Sequence, residues 1–224
     1  MASTNKKKRS SRTPLSRELV IEVAIALADE RGAEELTMRK LAKELGVEAM
    51  SLYNHVENKH DLLDGMVEIV FSEIEEPSLD GDWKSELRKR AGSTRAALNR
   101  HRWAIGEMEG RSNQGPDNLR VHNAVLGCLR NAGFTVEMSV HAYSVQDAYI
   151  YGFVLQEIDM SPETPQDFAE VASGQMEEFK EVLDDFPYLV EVVGGYVAEH
   201  GYDYEAEFLF GLDVILDGLE ALLS

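Results

Sequence analysis

The chain has one cysteine, Cys128, so it has neither an internal disulfide nor the thiols of a structural zinc site. Its six histidines, at positions 55, 60, 101, 122, 141 and 200, show no paired metal-ligand spacing. No apolar run approaches the ~18–20 residues that a membrane span needs. There is no phosphate-cradling P-loop, no GxGxxG after a strand and no serine nucleophile elbow. We therefore expect no enzyme, cofactor, metal or membrane partner. No stretch alternates with period two, which leaves an all-α fold. Positive charge is also short, with 22 Lys and Arg against 41 Asp and Glu and a net charge of −19. The N-terminus reads Lys6-Lys7-Lys8-Arg9 and then turns polar, with no apolar core of a secretory signal. With the lone cysteine, this points to a reducing compartment, the cytoplasm.

A composition of 44% hydrophobic and 28% charged residues over 224 positions suits a globular chain and excludes a fibrous or wholly disordered one. The acidic total hides an asymmetry. Residues 1–60 carry 11 Lys and Arg against 9 Asp and Glu, net +2; residues 61–224 carry 11 against 32, net −21. Phosphate binding needs local positive charge, because affinity comes from displacing counterions. The cations sit at one end, and the acidic remainder limits which face can approach DNA.

Stop and start signals divide the chain into helices. Residues 1–14 form a basic arm, readable as a solubilising tail or a DNA contact. Ser16 caps a first helix ending at Gly32, and Thr37 caps a second ending at Gly46. A third segment spans about residues 48 to 54. Asn58, with Asp61 three residues on, resembles a capping box opening a helix to about Glu76, broken at Pro77. Asp80-Gly81 opens the next, with a short piece around Ile105 and a break from Gly110 to Pro116. Residues 119–131 close on Asn131-Ala132-Gly133. A long helix from Thr135 to about Asp159 is apolar nearly all round. Thr164-Pro165 starts an acidic helix, another ends near Gly194-Gly195, and the last runs from about Tyr204 to Leu223.

Residues 37–59, TMRKLAKELGVEAMSLYNHVENK, carry the most specific pattern. Ala42 sits where two helices cross closely, and Gly46, four residues on, suits a left-handed turn. Leu41, Leu45, Val47, Leu52 and Val56 supply a small shared core. This spacing is that of a helix-turn-helix, whose second helix enters the major groove. The stretch from Gly46 to Val56, followed by Asn58-Lys59 and Leu62-Leu63-Asp64, resembles the TetR family of bacterial transcriptional regulators. Asp82-Trp83, Leu87-Arg88, Asn131 to Phe134 and Gly152 to Glu157 resemble landmarks of that family's C-terminal domain. The resemblance covers about three-quarters of the chain and implies a helix-turn-helix domain over 15–60 and an effector-binding, dimerising domain over 61–224.

The resemblance further implies that Thr37, Ser51, Tyr53, His55 and Lys59 reach phosphates; their hydroxyl, imidazole and ammonium groups suit that task. Arg39 is a phosphate or base contact. Base reading falls to Glu48, Ala49, Met50 and Asn54: Asn pairs with adenine, Glu accepts from cytosine, and Ala and Met meet a thymine methyl. Two alternatives stay open. Tyr53 and His55 also fit as covers of the small core, and Glu48 as a solvated charge.

Aromatic and polar groups that sit poorly in a pure core mark the candidate effector site: Trp103, Met108, Tyr143, Gln146 and Asp147. Tyr143 and Asp147 lie one turn apart, with Gly152 leaving room below. Tetracycline-binding members of the family hold the drug's magnesium with a histidine where this chain has Met108, and a thioether is a poor ligand for a hard cation. The expected effector is therefore an apolar or aromatic molecule, with tetracycline–magnesium disfavoured. The apolar helices at 135–159 and 204–223 suit a homodimer interface. Together these features predict a repressor released from a palindromic operator by a small molecule. Its rivals are an activator or global regulator without a small ligand and a helical ligand-binding domain with a vestigial DNA-binding motif.

Overall fold

The computed structural model describes residues 14–109, 115–159, 165–178, 180–183 and 185–223, and every regular element among them is helical. The basic run Lys6–Arg9, the Gly110 end of the predicted break, Thr164 and Asp184 lie outside the described residues.

The first four helices follow from their caps. The Ser16 hydroxyl accepts from the Leu19 amide at the head of α1 (Arg17–Arg31), which ends at Gly32 with φ 84°. After a single turn at Ala33–Glu35, the Thr37 hydroxyl accepts from the Lys40 amide at 3.2 Å and opens α2 (Met38–Leu45). Gly46 then takes the left-handed conformation at φ 66°, ψ 36°, and α3 (Ala49–Leu52) begins three residues later. Only four residues of the predicted third segment are helical; 53–55 form a turn. Asn58 caps α4 (Lys59–Ser72) by accepting from the His60 and Asp61 amides. The capping box is incomplete, because the Asp61 carboxylate takes the Glu57 amide at 2.8 Å instead of that of Asn58.

The fourth helix also stops earlier than Pro77 suggests. Beyond Ser72 the chain peels off, Ile74 is buried, and the Glu75 amide donates to the Ser93 hydroxyl of α5 at 2.9 Å. Asp82 caps α5 (Trp83–Arg100), and α6 (Ala104–Glu109) follows. Pro116 occupies the first turn of α7 (Pro116–Asn131), where its missing N–H is harmless. Gly133, at φ 101°, turns the chain into α8 (Val136–Asp159).

Pro165 opens α9 (Pro165–Glu178), followed by the short α10 (Lys180–Leu183). Contrary to the expected stop at Gly194-Gly195, helical winding continues from α11 (Pro187–Leu189) through a wider stretch, Val190–Val197, into α12 (Ala198–His200). The break falls at Gly201, φ 75°. Glycine inside a helix costs only about 1 kcal/mol, and Gly194 has a packing role: a Cβ there would lie 3.0 Å from the Met176 methyl of α9. Asp203 caps the last helix, α13 (Tyr204–Ala221).

Two apolar clusters hold these helices. One joins α1 to α4 with Ala97 and Leu98 of α5, Trp103 to Ile105, Val121 and Val154. The other joins Leu87 and Ala91 of α5, Val125 to Leu129 of α7, Ala142 and Ile150 of α8, and Phe208 to Leu219 of α13. The α4 residues Leu62, Leu63, Met66 and Val70 thus share a core with the helix-turn-helix.

Candidate nucleic-acid interface and effector site

The turn between α2 and α3 is closed by the Val47 amide donating to the Ala42 carbonyl at 2.9 Å. Ala42 is 3% exposed, so a larger side chain would part the two helices. Leu41, Leu52 and Val56 are buried beneath, with Met38, Leu45, Val47 and Ala49 packed partly against them. Thr37, Arg39, Glu48, Met50, Tyr53 and Asn54 are exposed, Met50 at 75% and Tyr53 at 45%. Tyr53 is therefore not a plug of the small core. Glu48 stands at the head of α3 without a capping hydrogen bond from its side chain. Ala49 packs partly against the core, and Ser51 and His55 are half-buried. Lys59 is half-buried too, its Nζ donating to the Ala33 carbonyl at 3.4 Å. That long bond leaves the ammonium able to exchange its partner for a phosphate.

A feature invisible to the motif holds the turn after α3. Arg17 of α1 donates from Nη1 to the His55 carbonyl at 3.1 Å and from both terminal nitrogens to Asp61, at 2.8 and 2.6 Å. The Arg17 hydrogen bond draws the Asp61 carboxyl below its usual value, and burial opposes this only in part. This fork fixes the backbone at the end of the segment carrying Tyr53, Asn54 and His55. The only sequence signal for it was Asp61, which the capping pattern assigned to a different partner.

The five effector candidates separate into two groups. Trp103 and Met108 pack against the N-terminal cluster. The Trp103 indole N–H donates to Asp29 of α1 at 2.7 Å, and His101 lies between Asp29, at 2.8 Å, and Glu73, at 3.3 Å. These two aromatic rings tie the first turns beyond α5 to the DNA-binding unit. They do not join the other candidates.

Tyr143 and Asp147 do come together, around a residue that sequence reading missed, and Gln146 lies on the same helix. Arg90 of α5 is 1% exposed and donates to Asp147 at 2.7 Å. Burial works against its charge, but Asp147 more than offsets this and raises its pKa. The Arg90 guanidinium lies 6.0 Å from the centre of the Tyr143 ring. Burial and the Asp147 carboxylate push the Tyr143 phenol far above its ordinary value, so it stays a donor. Gln146 is fully buried, and both its amide atoms lack a hydrogen-bond partner, as do Arg90 Nε and Asn118 Oδ1. Each orphaned buried group costs roughly 1–3 kcal/mol. A Cβ on Gly152, which is half-buried, would meet nothing within 4 Å.

From this cluster contacts lead to α4. The Tyr143 ring lies 5.0 Å from that of His122 on α7, which lies 6.3 Å from Phe71 on α4. Glu68 of α4 accepts the Asp117 amide at the head of α7, at 2.9 Å, and Glu76 pairs with Arg120. These contacts join α7 to α4 and to the segment that follows it.

An exposed face on a rigid three-helix unit, with a polar interior behind it, is matched by known proteins over both parts. Residues 20–66 match the family described as bacterial regulatory proteins, tetR family, and residues 76–223 match the tetracyclin repressor-like C-terminal domain. The chain belongs to the TetR family. It is 34% identical to the transcriptional repressor DrrR1 of Streptomyces coeruleorubidus over 97% of this chain and 83% of that one. It is 30% identical to the class D tetracycline repressor protein of Escherichia coli, over 94% and 91% of the two chains. Among solved structures, the TetR family protein ActR of Streptomyces coelicolor, in complex with actinorhodin, superposes with a TM-score of 0.77 at 27% identity, covering 95% of this chain and all of that one. The TetR-family chain is thus a ligand-responsive, DNA-binding transcriptional repressor.

Proposed function

We propose that two copies of this repressor bind a palindromic operator through Thr37, Arg39, Glu48, Ala49, Met50, Ser51, Tyr53, Asn54, His55 and Lys59, and that a small molecule lodged beside Tyr143, Gln146 and Asp147 releases them. The observation that carries this reading is the continuous core. The helix-turn-helix shares α4 with the effector domain; α4 contacts α7 through Phe71 and Glu68, and the segment after it does so through Glu76. A molecule wedged against Tyr143 and His122 therefore reorients the DNA-reading unit. It must bind the released state more tightly than the DNA-bound one, since equal affinity shifts nothing.

Pairing of two copies is supported by apolar side chains left exposed on α8 and α13: Val136, Val140, Leu155, Phe210, Val214 and Leu222. A dimer spaces its recognition helices about 34–36 Å apart to meet successive major grooves. Met108, packed among apolar residues, offers no hard-cation ligand, which supports an effector other than tetracycline–magnesium. The DNA it controls and the compartment it works in follow from the same reading: operator DNA, in the cytoplasm.

Footprinting with purified protein on the DNA flanking its own gene, at two salt concentrations, tests this. A protected palindrome whose occupancy falls steeply with salt is expected. Absence of protection there and in binding selection from random DNA would overturn the reading.

A further inference from the structure

The head of α7 is closed by a different helix. Its N-cap is Gly115, which has no side chain to offer, and Pro116, the first helical residue, has no N–H. The first amide that needs an acceptor is that of Asp117, whose own carboxylate turns away to Arg120 at 2.9 Å. Glu68 of α4 supplies the acceptor, taking the Asp117 amide through Oε2 at 2.9 Å. Its negative charge stands at the positive end of a 16-residue helix, where it is favoured. Gly115 makes this approach possible. Its backbone, at φ −74° and ψ 177°, is one that any residue adopts, so conformation does not demand glycine. Space does: a Cβ there would lie 2.1 Å from the Glu68 carboxyl carbon. Arg120, one turn into α7, pairs with Glu76 in the segment after α4. The first turn of α7 is thus gripped at two points by the helix whose Leu62 and Met66 lie in the core of the DNA-reading unit, and by its continuation.

Resting on the palindromic operator proposed above, we infer that Glu68 is a positioning residue for DNA recognition. By capping α7 from α4 it fixes the angle of the helix-turn-helix to the effector domain, so that the two heads of a dimer meet both half-sites together. It acts through the Asp117 amide and belongs to none of the DNA-reading residues. A head free to swing must be ordered on binding, and holding it beforehand removes that cost. The cost falls on the palindrome alone, because a single head on a single half-site has no second head to align with.

Fluorescence anisotropy titrations of the full-length protein test this, with a palindrome that wild type selects from random DNA and a duplex carrying one of its half-sites. Glu68→Ala is expected to weaken binding to the palindrome by roughly fivefold or more, and to the half-site by less than about twofold. Adding Gly115→Ser gives α7 a cap of its own, since serine is a preferred N-cap and the extended backbone at 115 suits it. The double variant is expected to regain the thermal midpoint lost in Glu68→Ala while its binding to the palindrome stays weak. Recovery of both together overturns the inference, because a local cap would then suffice. Equal losses on the two duplexes, or no loss on the palindrome, overturn it as well. If Glu68→Ala does not fold, Gly115→Ala, whose Cβ displaces the Glu68 carboxylate, carries the same expectations for the two duplexes. Selection of no DNA by wild type overturns the operator reading itself, and this inference with it.

Discussion

Arg17, on the first helix, closes a two-pronged hydrogen bond on Asp61, on the fourth, at 2.8 and 2.6 Å, while holding the His55 carbonyl at 3.1 Å. One guanidinium thus sets both the angle between the two helices and the exit of the DNA-reading segment. Asp61→Asn keeps the shape but loses the charge. Because the Arg17 side chain is 40% exposed, solvent screening holds the stability cost to about 1 kcal/mol. Affinity for operator DNA is expected to fall by more than that loss explains, as His55 and Tyr53 drift. Urea unfolding and DNA titration on the same preparation separate the two effects.

The same pair predicts a pH dependence. The Arg17 hydrogen bond holds the folded-state Asp61 carboxyl below its ordinary value, so the unfolded chain binds this proton more readily. The contribution of Asp61 is complete above that value and lost as pH falls through the lower, folded one. In urea melts between pH 5 and pH 2, wild type is expected to lose stability relative to Asp61→Asn; parallel curves would contradict it.

Gly46 holds φ 66° at the turn between α2 and α3. An alanine there meets the steric penalty of the left-handed region, about 1–2 kcal/mol. Gly46→Ala is expected to lower the thermal midpoint by several degrees and to weaken DNA binding. Gly46→Asn, better tolerated in that conformation, is expected to recover part of both.

Arg90 and Asp147 form a buried pair, so the cost of removing one partner exceeds that of removing both. Asp147→Leu leaves an unpaired guanidinium that is 1% exposed, and a loss of roughly 3–5 kcal/mol is expected. The double variant Arg90→Met, Asp147→Leu should return most of it in a double-mutant cycle, read by denaturant unfolding.

Lys59→Ala is expected to weaken DNA binding about equally across sequences and reduce the slope of log affinity against log salt by about 1. Tyr53→Ala, at a residue 45% exposed, should weaken binding without moving the thermal midpoint. An equal fall in midpoint would return Tyr53 to the role of core cover.

The helix boundaries that depend on a neighbouring side chain were legible in the sequence. Ser16, Thr37 and Asn58 each accept an amide two or three residues away, whereas α5 is capped by Asp82 and not at the expected Asp80-Gly81. The contacts that eluded it are long-range. Trp103 reads as a pocket residue because its ring is large and its tip polar, yet its partner Asp29 lies 74 residues earlier. Nothing in the sequence singles out Arg90, whose partner Asp147 lies 57 residues on, in α8. Gly194 and Gly195 read as a terminator, and packing on Met176 overrides the propensity of Gly194. Tyr143, Gln146 and Asp147 stand out in the sequence because polar groups on a helix that is otherwise apolar nearly all round have few places to go.

Because α4 donates Leu62, Leu63, Met66 and Val70 to the apolar cluster of the first three helices, this repressor cannot be recombined at the edge of its helix-turn-helix. A hybrid joined between α3 and α4 would pair half a core from each parent. A junction in the segment from Ser78 to Asp82, after the last buried residue of that stretch, Pro77, keeps every such contact of α1 to α4 within one parent. Grafting a new sensor onto this DNA-reading head then becomes a problem of matching α4, and Asp29 of α1, to the sensor's equivalents of Ala97 to Ile105 and of α7.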